Sequence, residues 1–356
     1  YSPYRPFTSI QESGLYIKEL ENSELTYEKK HELNIGADMG FLNNRINLAV
    51  DWYKRNNYDL IGIVNTQGAG GQILKYANIA SMKSHGIEFT LSTKNIKTKD
   101  FNWNTDFIFS NAKNEVTDLK QNANVMELIS GNGFAKQGYP VRGLFSIPFV
   151  GLDKDGIPVI INEKGEATST DINFQERQNT GFLKYEGPTD PTITGSLGNM
   201  FSYKGFRLNL FITYSFGNVI RLNPVFKAYY SDLTAMTREF KNRWTLPGDE
   251  AKTNVPAILS KRMYDSNEDL KYAYNAYNYS TERIAKGDFI RLKEISLAYD
   301  FPKAWINPLK LTDLSLKVQA TNLFLIYADD KLNGQDPEFF NAGGVASPVP
   351  RQFTIL

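Results

Sequence analysis

Four pairs of segments in this sequence alternate apolar and polar residues, and a short turn or connection separates the two members of each pair. Alternation with a period of two is typical of β-strands, because successive side chains of a strand point to opposite faces of the sheet. Two such strands joined closely form an antiparallel hairpin. The pairing therefore predicts an antiparallel sheet, and it constrains the fold more than any other feature of the chain.

The first two pairs have one apolar face and one small or polar face. The apolar residues of the first pair are Leu33, Ile35, Ala37, Met39, Ile46, Leu48, Val50 and Trp52, with a turn at 40–44. Those of the second pair are Ile87, Phe89, Leu91, Phe101, Trp103, Phe107 and Phe109. The polar face is predicted to carry Asn47, Asp51, Glu88, Asn102, Asn104 and Asp106, together with Arg207 and Asn209 from the third pair.

The third and fourth pairs repeat the pattern. They join 193–203 to 206–214 through Lys204-Gly205, and 288–299 to 314–326 through a longer connection that contains Pro302 and Pro308. Leu292 and Ile295 are out of phase within the first strand of the fourth pair. One extra residue in a strand produces such a phase change, so we predict a β-bulge there.

The segments that join one pair to the next are much longer, at about 56–83, 113–191, 215–286 and 327–350. Loops of this length are uncommon in compact soluble domains. An outer-membrane barrel, by contrast, has short periplasmic turns and long extracellular loops. We therefore predict an all-β fold, a transmembrane antiparallel β-barrel with that asymmetry. A β-sandwich strand with its aromatic face in the core would explain 101–109 equally well.

The composition of the chain argues against several classes of function. The chain has 40 Lys and Arg, 39 Asp and Glu and no cysteine. A net charge of +1 without a basic block gives no concentrated field for nucleic acid, so no nucleic-acid partner is expected. The missing cysteines exclude disulfides and thiol nucleophiles. No apolar run is long enough for a transmembrane helix, and residues 1–6 carry no signal-peptide pattern.

Short motifs follow one another in a fixed order. They are Leu25-Thr26-Tyr27-Glu28-Lys29, Asp51-Trp52-Tyr53-Lys54-Arg55, the stretch 78–88, Asn111-Ala112-Lys113-Asn114-Glu115-Val116, Gly138-Tyr139-Pro140, Arg243-Trp244, the stretch 289–297, Asp336-Pro337-Glu338 and Pro350-Arg351-Gln352-Phe353. Together they resemble the C-terminal part of the SusC/RagA-type TonB-dependent outer-membrane transporters. Ala80 and Ser84 depart from the Gly and Asn usual in that family.

The resemblance implies TonB-dependent import of an oligosaccharide or peptide across the Gram-negative outer membrane. The implied partners are a SusD-like surface lipoprotein, the TonB complex, the imported ligand and outer-membrane lipid. A dimer of transporter–lipoprotein pairs is one arrangement that the resemblance leaves open. Neither an enzyme activity nor a cofactor is implied.

Such transporters have a barrel of about 22 strands plugged by an N-terminal domain. This sequence supplies about eight strands and the start of a ninth. We therefore expect residues 1–356 to be the C-terminal part of the barrel of a longer protein. The plug domain, through which TonB acts, and the signal peptide would then lie outside this chain.

Candidate binding residues are concentrated in one loop segment. Tyr272, Tyr274, Tyr277 and Tyr279 alternate there with asparagines, and such rings and amides are suited to stacking on and hydrogen-bonding a sugar or peptide. The alternative is that these tyrosines pack the loop or contact the lipoprotein.

Other candidates have structural explanations. The two histidines, His31 and His85, share the parity of the apolar faces near the long loops, as expected for the membrane interface rather than for a catalytic or metal site. Asp153-Lys154-Asp155-Gly156 resembles the start of a calcium loop but lacks its closing Glu, so a hairpin turn is favoured. We predict no catalytic or metal site.

The alternative to the importer is a soluble or surface-attached β-sandwich that binds glycan. Alternating strands and tyrosine-rich loops would suit it too. The two hypotheses differ in what the apolar faces contact, which is lipid in a barrel and a second sheet in a sandwich.

Overall fold

A single antiparallel sheet dominates the protein. The structure, a computed structural model, describes residues 2–4, 14–16, 21–66, 74–226, 236–340 and 350–356. The strands of its main sheet are β3 (Lys29–Phe41), β4 (Ile46–Asn65), β5 (Leu74–Lys97), β6 (Phe101–Leu119), β12 (Ile193–Tyr203), β13 (Phe206–Phe216), β16 (Phe289–Asp300), β17 (Ser315–Ala328) and β18 (Gln352–Ile355). These nine strands are hydrogen-bonded in the order β18-β17-β16-β13-β12-β6-β5-β4-β3.

The four predicted hairpins are confirmed. β3 pairs with β4, β5 with β6, β12 with β13, and β16 with β17, all antiparallel. In the β12–β13 turn Lys204 and Gly205 have φ values of 45° and 90°. Positive φ at both central residues is typical of the two-residue turns that match strand twist. Leu42, Asn43 and Asn44 also have positive φ in the β3–β4 turn.

The predicted bulge is confirmed as well. Pairing between β13 and β16 shifts register between Phe211 and Ile212, because Glu294 lies opposite the first and Leu292 opposite the second. Lys293 is therefore the extra residue of the bulged strand.

The predicted boundary of the first long connection was wrong. We expected it to span 56–83, but β4 continues to Asn65 and β5 already begins at Leu74. Asp59 has a φ of 56°, and the β4–β5 register shifts on both sides of Leu60. This irregularity interrupts the alternation in the sequence, although the two strands remain hydrogen-bonded beyond it.

The two faces of the main sheet have different chemistry. Cross-strand neighbours keep the predicted parity, as in the polar pair Asp51–Glu88 and the apolar pair Val50–Phe89. Many large apolar side chains on one face are exposed, including Ile35 at 58% and Leu316 at 47%. Aromatic rings on this face contact one another at the short-turn ends of the strands, in Trp103–Phe201 and Phe206–Tyr299, and farther toward the long loops, in Phe89–Phe109 and Tyr214–Phe216.

The second and third long connections fold into a compact unit, the loop subdomain, described over 120–191, 218–226 and 236–286. Its helices are α1 (Val125–Ile129), α2 (Lys261–Ser266) and α3 (Leu270–Asn278). Its strands are β7 (Gly143–Ser146), β8 (Phe149–Leu152), β9 (Pro158–Ile161), β10 (Ala167–Thr168), β11 (Lys184–Pro188), β14 (Val219–Arg221) and β15 (Ile284–Lys286). Its core includes Val125, Phe145, Ile147, Ile160 and Ala276.

The loop subdomain lies against the polar face. The backbone N–H of Val141 donates to the Asn114 side chain at 2.8 Å, and Val116 is buried beside it. Asn114 and Val116 lie on β6 and have the parity of the polar face. The described loops therefore contact the polar face at its long-loop end, whereas Asp51 and Glu88, farther along the same face, are exposed.

Shorter elements complete the chain. They are the pair β1 (Ser2–Tyr4) and β2 (Gly14–Tyr16), helix α4 (Lys303–Ile306), and 3-10 helices at Arg238–Asn242, Asp249–Ala251, Thr281–Arg283, Asn307–Leu309, Asp330–Leu332 and Pro337–Phe339. Within the described residues, every helix is too short or too polar to cross a membrane.

Candidate ligand-binding cavity

A cavity of about 480 Å³ lies where the loop subdomain meets the long-loop ends of β12, β13 and β16. This volume is in the range of small-molecule sites. Most of the groups around it are neutral, and its charged residues are Arg142, Lys293 and Glu338. The polar lining includes Asn132, Thr189, Thr194, Thr213, Ser215 and Asn218.

One wall of the cavity is held by a buried ion pair. Arg291 on β16 is 5% exposed at its side chain, and its Nη2 lies 2.5 Å from Asp336 Oδ1. The Asp336 side chain also accepts the backbone N–H of Glu338 at 3.1 Å. Arg291 Nε lies 3.2 Å from Glu338 Oε2. These contacts fix the 3-10 helix Pro337–Phe339 against the sheet.

The bulge in β16 places Lys293, another cation, at the cavity. Lys293 lines it and is half-buried. No ion pair or hydrogen bond joins its ammonium group to any residue that the structure describes. By contrast Arg142 Nη1 is already bonded to Asp190 Oδ1 at 2.6 Å. Lys293 is thus the charge that remains available to an anionic group of a solute.

Arg221 is buried beside the cavity and bonds to several segments of the loop subdomain. Its guanidinium donates to the backbone oxygens of Phe145 at 2.6 Å, Ser280 at 2.9 Å and Ile129 at 3.3 Å. Burial lowers the pKa of Arg221 from its ordinary value to about 9, while the nearby Glu186 carboxylate opposes this shift. The side chain is still charged at neutral pH, and it joins three separate segments.

The four candidate tyrosines lie on a helix and its end rather than on an open loop. Tyr274 and Tyr277 are 0% and 1% exposed, whereas Tyr272 is 40% exposed. The Tyr277 ring packs edge-on against Phe149 at 5.4 Å, and burial raises the pKa of its hydroxyl. For Tyr274 and Tyr277 these positions favour the packing alternative. Ligand contact by any of the four stays a prediction.

Tyr279 differs from the other three. It packs against the core of the loop subdomain and also borders a separate open hollow of about 410 Å³, with Phe134, Asn124 and Gln175 in its lining. Phe134 is 41% exposed. Rings beside amides suit a sugar or peptide, so the binding hypothesis is best supported by the position of Tyr279.

The turn at Asp153 has the predicted hairpin geometry. It joins β8 to β9, and Asp153 Oδ1 accepts the backbone N–H groups of Asp155 and Ile157 at 2.9 Å each. In the part of the chain that the structure describes, no three His, Asp or Glu side chains are grouped as metal ligands.

Arg142, Arg291, Lys293 and Glu338 were not predicted from the sequence as residues at the cavity. A signal existed for Lys293, because the phase change between Leu292 and Ile295 marks it as the extra residue of the bulge. Nothing in the local sequence shows that Asp336 reaches Arg291, since 45 residues separate them.

Comparisons with known proteins support the family resemblance. No family model matches the chain. TonB-dependent receptor P3 of Formosa agariphila is 26% identical over 357 residues, covering 95% of this chain and 33% of the receptor. TonB-dependent receptor SusC of Bacteroides thetaiotaomicron is 26% identical over 359 residues, covering 94% of this chain and 32% of SusC. The chain thus spans about a third of the length of these curated relatives.

Solved structures show the same fold. A structure of the RagAB peptide importer in the closed-closed state superposes with a TM-score of 0.74 at 23% identity, covering 99% of this chain and 37% of that one. A structure of the RagAB peptide transporter gives a TM-score of 0.71 at 24% identity, with 95% and 35% covered. The resemblance of this chain to the SusC/RagA-type TonB-dependent transporters, predicted from its motifs, is therefore confirmed.

Proposed function

We propose that this chain is the C-terminal part of the barrel of a TonB-dependent outer-membrane transporter, which imports an oligosaccharide or peptide together with a SusD-like lipoprotein. In this proposal, the longer protein supplies the upstream strands and the plug domain that such a barrel needs. Import would proceed by binding and release of the solute without covalent chemistry. Energy would come from the TonB complex acting on the plug.

The single observation that carries the proposal is the contrast between the two sheet faces. One face is lined by polar residues and contacts the loop subdomain at the long-loop end of β6, whereas the face with Ile35, Leu316 and the aromatic rings is exposed. Exposed apolar patches larger than a few hundred Å² are rare in monomeric soluble proteins. A β-sandwich would bury this face against a second sheet, whereas a barrel presents it to lipid.

The orientation of the sheet can be tested with single cysteines, because the chain has none of its own. Leu91 and Thr90 are neighbours on β5 with opposite parity. In the full-length transporter without other cysteines, Leu91→Cys and Thr90→Cys would each be labelled with bimane. Lipid carrying a nitroxide is expected to quench the label at 91 and not at 90. Equal quenching, or a transporter that is monodisperse without detergent, would contradict the barrel.

The cavity beside Lys293 is the proposed solute site of this part of the barrel. Thr213 lines it from β13, and Thr213→Trp would place a large ring in it. A strain that depends on the transporter would be grown on single peptides and oligosaccharides as the carbon source. The variant is expected to lose growth on the solute that supports the parent strain, at unchanged outer-membrane abundance.

The matched control for that test is Lys154→Trp. Lys154 is exposed in the β8–β9 turn, so the control adds the same ring away from the cavity. Growth of Thr213→Trp at the parent rate would exclude this cavity from the import path. The same strain panel determines the solute class, and co-purification of a lipoprotein with the full transporter tests the partner.

A further inference from the structure

Three basic side chains lie side by side on the apolar face of the sheet. Lys54 on β4 is directly opposite His85 on β5, and His85 is directly opposite Lys113 on β6. Cβ atoms of directly opposed residues are about 4.5–5.5 Å apart. All three residues are exposed. They form one continuous row, the basic row, across three neighbouring strands.

The basic row lies at the long-loop end of the apolar part of this face. The next row toward the short turns, on the same face, contains Trp52, Ile87 and Asn111. In the opposite direction the row that follows contains Asn56, Lys83 and Glu115. On β4 and β5, then, the surface changes from apolar to polar or charged at this level, and on β6 Asn111 lies between the basic row and Phe109.

The charges of the basic row are not compensated within the described part of the protein. Neither lysine has an ion pair or hydrogen bond through its side chain to a residue that the structure describes. Glu115, two residues from Lys113 on the same face, is paired with Lys83 at 3.0 Å. Lys54 and Lys113 flank His85, so two positive charges lie two strands apart on one face. An anion placed between them would be attracted by both.

We propose that Lys54, His85 and Lys113 bind the phosphate of a membrane lipid headgroup in the leaflet on the long-loop side. The inference rests on the proposed function, because only a lipid-facing sheet places this row beside a headgroup. Apolar side chains below the row would contact the acyl chains of the same lipid. The ammonium groups and the imidazole would then donate to the phosphate oxygens, as cations at a membrane surface do.

The test uses the full-length transporter in detergent and dioleoyl phosphatidylglycerol as the probe. Lys54→Gln/Lys113→Gln removes two charges from the row, and Lys303→Gln/Lys310→Gln removes two exposed charges at the short-turn end. Native mass spectrometry would measure the affinity of each protein for the added lipid. We expect Lys54→Gln/Lys113→Gln to weaken binding about thirty-fold and the control to leave it unchanged.

Two outcomes would overturn the proposal. One is equal lipid affinity of the parent and the Lys54→Gln/Lys113→Gln protein. The other is competition by inorganic phosphate at the same concentration as the lipid, which would identify a free-anion site instead. Lipid affinity is measured without transport, while the growth test needs no lipid titration. A failure of the import proposal is therefore distinguishable from a failure of this one.

Discussion

Arg291 Nη2 on β16 lies 2.5 Å from Asp336 Oδ1, and both side chains are more than nine-tenths buried. This ion pair joins the main sheet to the segment that closes the candidate cavity. The Asp336 side chain also accepts the backbone N–H of Glu338, so one carboxylate holds both the strand and the 3-10 helix. The geometry of the cavity wall depends on this contact.

Breaking the pair should therefore open the cavity wall. Arg291→Met leaves the Asp336 carboxylate buried without its partner, and such a loss costs about 3–5 kcal/mol. The expected result is faster proteolysis of 329–340 in the full transporter, measured by limited digestion and mass spectrometry.

The matched control is Arg207→Met. Arg207 pairs with Asp300 at 2.7 Å, but the two side chains are 51% and 49% exposed. Exposed pairs contribute about 0–1 kcal/mol, so digestion should hardly change. Equal digestion of the Arg291→Met and parent proteins would show that the pair does not hold the wall.

A second prediction concerns the lipid-facing side of β13. Leu210 has the apolar parity at the middle of the strand, and its neighbour Asn209 has the polar parity. Leu210→Arg should lower barrel stability by about 2–4 kcal/mol, as charged residues do at the bilayer midplane. Asn209→Arg should change it little. Urea unfolding in lipid vesicles, followed by tryptophan fluorescence, measures both, and an equal effect would contradict the assignment of faces.

A third prediction concerns a close approach on β12. The Tyr214 hydroxyl donates to the backbone oxygen of Ile108 at 2.9 Å, and its ring passes over Gly195. A Cβ at Gly195 would overlap that oxygen. Gly195→Ala must displace Tyr214 and strain the strands, at a cost of about 1–3 kcal/mol.

Gly198 on the same strand provides the control. A Cβ there would meet Phe211 at an ordinary distance of 3.6 Å. Gly198→Ala should fold as the parent does in the same urea experiment. If the two alanine variants unfolded at the same urea concentration, the close approach at Gly195 would carry no energetic weight.

The hairpins could be predicted because a strand records its two faces directly in a period of two. The bulge was predictable for the same reason, since Leu292 and Ile295 break that period. The extension of β4 was not, because Asp59 with its positive φ interrupts the alternation while the hydrogen bonds continue. Sequence alternation is thus informative only where each strand is regular.

The loop subdomain was also not predicted from the sequence. Its core joins Val125, Ile147 and Ala276, which are far apart in the chain, and no local pattern shows that they meet. One local signal was present: Leu270, Ala273, Tyr274 and Tyr277 follow the spacing of an amphipathic helix. This periodicity favours, for Tyr274 and Tyr277, the alternative in which the tyrosines pack the loop. The same helix explains why only some of them reach the surface.

That division among the tyrosines leads to the last prediction. Tyr277→Ala should destabilise the loop subdomain by about 3–5 kcal/mol, the range for deleting a large buried ring, because Tyr277 packs on Phe149. Tyr272→Ala should be near neutral for stability, since its side chain is exposed. Hydrogen exchange of 261–286 in the full transporter measures the first effect.

The affinity of each variant for the solute found in the growth panel separates packing from binding. Reduced affinity in Tyr272→Ala with unchanged exchange would establish a direct contact. For Tyr277→Ala, the packing role requires faster exchange across α3, and unchanged exchange with reduced affinity would refute it.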